Sequence, residues 1–115
     1  MSWQIGNEPR AFSDENKPAF EKWIAEVAAQ IRSIDPNHLI SVGSEGKHGC
    51  EQDIDLFERI HADKNIDYLT LHMWPYNWGW VKEDALSEGV AGAKEKALDE
   101  SVALFLRFAF LYVFR

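Results

Sequence analysis

The chain has almost no sulfur chemistry to offer. Cys50 is its only cysteine, so no internal disulfide can form and no cysteine-based metal cluster can be built. A single thiol leaves the redox compartment open. A basic excess is also missing. Twelve Lys plus Arg stand against 19 Asp plus Glu, a formal net charge of -7, and that sign argues against a nucleic-acid backbone as partner. No secretory signal is visible, because a strand-like run follows Met1 almost at once. With no lead-in before a core strand, Met1 is expected not to be the start of the ancestral protein. No apolar run is long enough to span a bilayer as a helix. The stretch from Val102 to Arg115 is apolar all round, but it is short and lacks the basic face of a membrane-docking helix. Repeats and low-complexity linkers are absent. His38, His48 and His61 show no ligand spacing, so no metal site is expected.

What the chain does hold is aromatic surface. Five Trp in 115 residues is a high count, and Trp left exposed calls for a ligand to stack on. A hydrophobic share of 46% excludes a disordered composition, and the length allows one ordinary domain. The negative charge suits a neutral ligand or simple solubility.

Trp3 to Gly6 is a short apolar run bounded by Gly6 and Pro9, which predicts a buried strand. It ends in Asn7-Glu8-Pro9-Arg10, and Pro9 is expected to hold Glu8 extended. On these residues alone, Glu8 is either a solvated turn residue or a carboxylate displayed at a strand end. Pro18 fits the first turn of a helix whose apolar residues recur at helical spacing: Phe20, Trp23, Ile24, Val27, Ile31 and Ile34. Asp35-Pro36-Asn37-His38 stops it. Leu39 to Gly43 predicts a second strand, Ser44 to Gly49 a loop, and Glu51 to Ala62 a shorter helix with Ile54, Phe57 and Ile60 on one side. Ile66 to His72 alternates and is β-rich, a third strand. Met73 to Val81 is an aromatic loop carrying Trp74, Tyr76, Trp78 and Trp80. A third helix is expected from Asp84 onward, weakened early by Gly89 and Gly92 and burying Ala93, Ala97 and Leu104.

Strand, helix, strand, helix, strand, helix predicts parallel strands with right-handed crossovers, an α/β fold. Three such units leave sheet edges and a sheet face uncovered, whereas a closed (β/α)₈ barrel takes roughly 250 residues. The expected architecture is therefore a fragment of a TIM barrel, about three βα units. It would occupy residues 1–103, with an apolar tail of uncertain origin over 104–115. The loss of surface charge after Leu104 suggests out-of-frame translation or a misjoined gene end.

Three strand ends carry a family resemblance. Trp3-Gln4-Ile5-Gly6-Asn7-Glu8-Pro9-Arg10 resembles the fourth strand of a clan A retaining glycoside hydrolase. Ser41-Val42-Gly43-Ser44-Glu45-Gly46 resembles the fifth. Asp67-Tyr68-Leu69-Thr70-Leu71-His72 with the following Trp-rich loop resembles the sixth. Together they are similar to glycoside hydrolase family five, in its endo-β-1,4-mannanase branch, over about Trp3 to Val102. The resemblance implies that Glu8 is the catalytic acid/base, that Asn7 bonds the sugar 2-hydroxyl, and that Arg10 and Glu45 line the leaving-group side. It also implies that His72 lies near the cleaved sugar. Arg10 and Glu45 could equally be paired with each other on the surface. Trp74, Trp78 and Trp80 are expected to include a sugar platform, whereas Trp3 and Trp23 are expected in core or helix packing. Trp74 stands two residues after His72 where many family members have tyrosine, so Tyr76 carries little of the argument.

The family's nucleophile is a strand-seven glutamate, and no apolar run followed by Glu occurs after Val102. The implied function is retaining hydrolysis of β-1,4-mannosidic bonds, with the chain expected to be inactive alone. A β-1,4-glucan hydrolase or a non-catalytic carbohydrate-binding remnant are the alternatives. β-Mannan or a related polysaccharide is the expected partner. No cofactor, nucleic acid, membrane or obligate protein partner is expected. The resemblance suggests a secreted or cell-envelope lineage.

Overall fold

The computed structural model describes the backbone of residues 1–82 and 86–113, and the side chains of 1–82 and 89–104. The chain divides into two compact units, Met1–His72 and Met73–Arg115.

In the first unit, β1 (Ser2–Gln4) and β2 (Leu39–Ser41) pair in parallel, with Trp3 opposite Ile40. Both are shorter than the apolar runs that predict them. The pairing is nevertheless prolonged by hydrogen bonds from Ile5 N–H to the Ser41 carbonyl (2.9 Å) and from Gly6 N–H to the Val42 carbonyl (3.3 Å). The helix between them, α1 (Lys17–Ile34), starts with Pro18 in its first turn, as the missing proline N–H allows. Its buried face is Phe20, Ile24 and Ala28, narrower than the spacing suggests. Trp3 and Trp23 are 50% and 43% exposed and so not in the core, although Trp23 packs along α1 on the Phe20 ring, centroids 6.3 Å apart; Ile34 is exposed as well. Trp3 sits on a strand exposed along its whole length, and its indole N–H reaches sideways to the Asp35 carboxylate at 2.9 Å.

Asp35 ends α1 by collecting four donors. It accepts from the Asn37 and His38 backbone N–H groups, the His38 ring and the Trp3 indole. Those hydrogen bonds, Trp3's foremost, hold its carboxyl well below the usual carboxylate range. Arg32 then clamps the turn, donating to the carbonyls of His38 (2.9 Å) and Asn65 (3.1 Å) and to the Asp67 carboxylate.

The expected loop after β2 contains a 3₁₀ helix, Gly46–Cys50, and α2 follows as Ile54–His61. It starts later than Glu51 because Glu51 and Gln52 both take left-handed backbone angles. Asp53 supplies the N-cap, accepting from the Leu56 N–H at 2.9 Å. α2 packs against α1. Leu56, Phe57 and Ile60 join Ile24, Ile40 and Val42 in a core where each large side chain contributes about 1.5–3 kcal/mol. Cys50 lies buried there, and desolvation pushes its thiol up to about 12.

The third expected strand is not one. Residues 66–72 run beside β2 without forming a ladder. Two backbone bonds survive, Asp67 N–H to the Ile40 carbonyl and His72 N–H to the Ser44 carbonyl, both 2.9 Å. The N–H groups of those same two acceptor residues go to side chains instead. Ile40 N–H goes to the Asp67 carboxylate at 2.7 Å and Ser44 N–H to the Thr70 hydroxyl at 2.9 Å. Side-chain acceptors of this segment thus stand where ladder carbonyls would. The described residues therefore hold two strands rather than three. They remain an α/β arrangement of two parallel strands and three helices.

The second unit is a coiled aromatic loop followed by one long helix, α3 (Leu86–Val113). Asp84, where the helix was expected to begin, lies outside the described residues, as do the side chains of the tail from Phe105. Ala93 and Leu104 are buried as expected, and Ala97 is half-buried. Gly89 and Gly92 lie in the early turns of the helix, as expected. At Gly89 a Cβ would approach Val81 Cγ1 to 3.3 Å, so glycine lets the end of the loop lie against the helix.

Candidate active site

The site in the first unit is assembled where β1 and β2 end. Beyond β1 the chain stays attached to β2 through Glu8 N–H, which donates to the Gly43 carbonyl at 2.8 Å. That bond places Glu8 at φ +52°, in the left-handed region, rather than extended as Pro9 would prefer. A non-glycine residue there is strained by roughly 1–2 kcal/mol, and such strain concentrates at functional positions. Gly43 makes the approach possible. Its φ is +81°, and a Cβ on it would lie 2.1 Å from the Gly6 carbonyl oxygen, which no side chain could tolerate.

Glu8 is turned toward residue 72. Its Oε1 lies 3.1 Å from His72 Nδ1, across 64 residues of sequence, and both side chains are largely shielded from solvent. The segment that carries His72 is held by the Ser44 carbonyl, one residue beyond the carbonyl that holds Glu8. The acid and the imidazole are thus positioned by consecutive residues of one short stretch.

Arg10 and Glu45 pair with each other. Arg10 Nε and Nη2 donate to Glu45 Oε2 and Oε1 at 2.6 and 2.8 Å, a bidentate fork. Glu45 is 1% exposed, so its carboxylate depends on that fork for compensation. The Glu45 bonds in turn hold the guanidinium above its ordinary pKa, with the Glu8 charge adding to the effect. Pro9 and Ala11 on either side of Arg10 are seated on the 3₁₀ turn. Ala11 N–H donates to the Gly49 carbonyl at 3.0 Å, and a Cβ on Gly49 would strike the Pro9 carbonyl oxygen at 2.9 Å. Asn7 is exposed beside Glu8 in sequence.

The aromatic residues belong to the second unit. The loop coils on itself through Trp78 N–H to the Trp74 carbonyl (2.9 Å) and Trp80 N–H to the Pro75 carbonyl (2.8 Å). Trp78 and Trp80 meet edge to face, with centroids 5.0 Å apart, and the Lys96 ammonium stands 5.9 Å from the Trp80 ring. Trp74 is 48% exposed and Tyr76 is exposed too. The structure therefore joins Glu8 with His72 and Arg10 with Glu45, and it pairs Trp78 with Trp80. Among the described residues no group of three or more His, Cys, Asp or Glu could hold a metal ion. None of the described helices is long and apolar enough to cross a membrane.

Sequence reading missed Gly43, Ser44 and Thr70 as the residues that fix this site. The signal was a threonine in a β-rich alternation two residues before the histidine.

Residues 1–105 match the family described as glycoside hydrolase family 5 β-mannosidase-like. The chain belongs to this family. Among its relatives, mannan endo-1,4-beta-mannosidase 4 of Solanum lycopersicum is 36% identical over 87 residues, covering 68% of this chain and 22% of the relative. Mannan endo-1,4-beta-mannosidase 1 of Oryza sativa subsp. japonica is 31% identical over 105 residues, covering 80% of this chain and 24% of the relative. Mannan endo-1,4-beta-mannosidase 7 of Arabidopsis thaliana is 36% identical over 89 residues, covering 68% and 21%. This family 5 chain thus spans less than a quarter of the length of these relatives.

Proposed function

We propose that this chain carries the acid/base half of a retaining β-1,4-mannan-cleaving site, with Glu8 as the acid/base. The observation that carries the reading is the 3.1 Å contact between Glu8 and His72 at the ends of two neighbouring chain segments. It occurs in a family 5 chain whose relatives are named mannan endo-1,4-beta-mannosidases. In the retaining mechanism one carboxyl protonates the leaving oxygen, and a second, about 5–5.5 Å away, attacks the sugar carbon. The first then acts as base toward water. Glu8, with His72 on one oxygen, suits the first role. Asn7 would bond the sugar 2-hydroxyl. The Arg10–Glu45 fork would line the leaving-group side. Mannan rather than glucan is favoured by the names of the relatives. The nucleophile would come from outside these residues.

Two measurements test this. Incubated alone with mannan, the purified chain is expected to release no reducing ends, and depolymerisation abolished by Glu8→Gln would overturn the half-site reading. A chimera tests the role itself, with this chain replacing the matching stretch of the tomato relative. Glu8→Gln in an active chimera is expected to lower kcat roughly 10²–10⁴-fold, the range of general acid–base catalysis. An active chimera indifferent to that change would sink the assignment.

A second reading, carbohydrate binding without cleavage, is supported by Trp74, whose ring is the most exposed of the loop tryptophans. Sugar C–H faces stack on such surfaces. Mannohexaose titration followed by Trp fluorescence is expected to saturate and to lose its signal in Trp74→Ala. An unchanged titration would exclude Trp74 as the platform.

A further inference from the structure

We infer that Thr70 is a positioning residue for the Glu8–His72 pair, acting through the peptide group between Gly43 and Ser44. This rests on the reading of Glu8 and His72 as a functional pair. That one peptide group is gripped from both sides. Its carbonyl, on Gly43, accepts the Glu8 N–H at 2.8 Å, and its N–H, on Ser44, donates to Thr70 Oγ1 at 2.9 Å. The next carbonyl, on Ser44, accepts the His72 N–H at 2.9 Å. Thr70 and His72 are two residues apart on the segment that fails to form a strand. Hydroxyl and backbone N–H therefore bracket Ser44 from the same side.

Ser44 is buried, so its N–H needs an acceptor within the protein. With no ladder carbonyl facing it, the Thr70 hydroxyl serves. The side-chain hydroxyl of Ser44 is occupied locally, accepting the Gly46 N–H at 3.1 Å. Hydrogen bonds in series through one peptide also polarise each other, so the Thr70 bond strengthens the one that holds Glu8. Gly43, at φ +81°, has unusual backbone freedom. A peptide beginning at such a residue can rotate unless both of its ends are held. Removing the Thr70 acceptor frees one end. The Glu8 backbone and the His72 backbone then lose their common reference, and the 3.1 Å side-chain contact loosens.

The test is nitrogen-15 NMR of the full chain at alkaline pH, reading the His72 ring. Facing an ionised carboxylate, the neutral ring must carry its hydrogen on Nδ1. Wild type is expected to show a pyrrole-like Nδ1 and a pyridine-like Nε2. Thr70→Val, nearly the same shape without the hydroxyl, is expected to lose that single-tautomer signature and to speed Ser44 amide exchange about fivefold to tenfold, the effect of one hydrogen bond. Thr70→Ser restores the acceptor and is expected to restore both. A purely structural role would lower stability and leave the tautomer alone. Thr70→Val with the wild-type signature overturns the inference, as does a wild type without it. Should Thr70→Val fail to fold, Thr70→Ser decides: a retained signature supports the hydroxyl's role, and a lost one overturns it. The readout is independent of hydrolysis. An active chimera indifferent to Glu8→Gln would remove the catalytic reading while leaving this geometry standing.

Discussion

The two units of this chain are held together by different kinds of interaction. In Met1–His72 the ties are long in sequence. β1 pairs with β2, Arg10 grips Glu45, Arg32 reaches Asn65 and Asp67, Arg59 reaches Glu21, and Glu8 meets His72. In Met73–Arg115 the described ties are mostly local: turns of the Trp loop, the Trp78–Trp80 contact, and the helix itself, with Lys96 reaching back to Trp80. The first unit buries a core of large side chains. The second buries Ala93 and Leu104 among its described residues. The lesson is that the residues with chemical precision stand on the cross-linked unit, and the broad aromatic surface stands on the locally ordered one. Acid–base work needs a fixed geometry. Stacking on a sugar face tolerates a looser one.

The contrast is open to direct attack. The largest effect is expected in the core. Phe57→Ala removes a fully buried ring and is expected to destabilise the first unit by about 3–5 kcal/mol. Leu98→Ala, on an exposed position of α3, is expected to change stability by about 0.5 kcal/mol or less. Urea unfolding of both variants, followed by circular dichroism, measures the difference. Equal losses would abolish the distinction between the units.

Acid should also act on the first unit. His61 is buried on α2, its Nδ1–H donating to the Phe57 carbonyl at 2.8 Å, and desolvation lowers its pKa to about 4. In the unfolded chain the same imidazole titrates near 6.5. Between these values the unfolded state binds more protons, so stability is fully present above about pH 6.5 and falls as pH drops toward about 4. The loss attributable to this group is about 3 kcal/mol. His61→Gln keeps a donor for Phe57 and cannot titrate, so its stability curve should be flatter across that window. A wild-type curve no steeper than the variant's would show that His61 is not buried neutral.

A smaller loss than that of Phe57→Ala is expected at the fork. Arg10→Ala strands a buried Glu45 carboxylate. Because Arg10 itself is half exposed, water can partly replace it, and a loss of about 1–3 kcal/mol is expected. Glu45→Gln with Arg10→Ala in a double-mutant cycle should recover part of it. Full additivity would mean that the two side chains are merely adjacent.

Much of this architecture is legible in the residues. Helical spacing gives α1 and α2, Pro18 marks the first turn of α1, and the Asp-Pro-Asn-His stretch stops it, because each depends on interactions within a few positions. The strand-end motifs place Glu8, Glu45 and His72 on segments that do meet. Other features are settled by partners distant in sequence. Trp3 and Trp23 look like core residues by hydrophobicity but remain exposed, since burial depends on what lies opposite. Residues 66–72 alternate as a strand should, yet Asp67 and Thr70 supply side-chain acceptors where a ladder carbonyl would stand. Glu8 precedes a proline and should be extended, yet a hydrogen bond to Gly43 draws it into the left-handed region.

The sequence by itself determined the local elements and the chemical identity of the strand ends. Periodicity, caps and breakers act over one or two turns, and a carboxylate beside a proline is chemistry that can be read in place. Only the tertiary structure decided that Glu8 meets His72 rather than solvent and that Arg10 is committed to Glu45. It also decided that one peptide group between Gly43 and Ser44 is shared by both arms of the site. Those outcomes depend on contacts across 26 to 64 residues, and directional bonds over such separations are fixed only when the chain has closed around them.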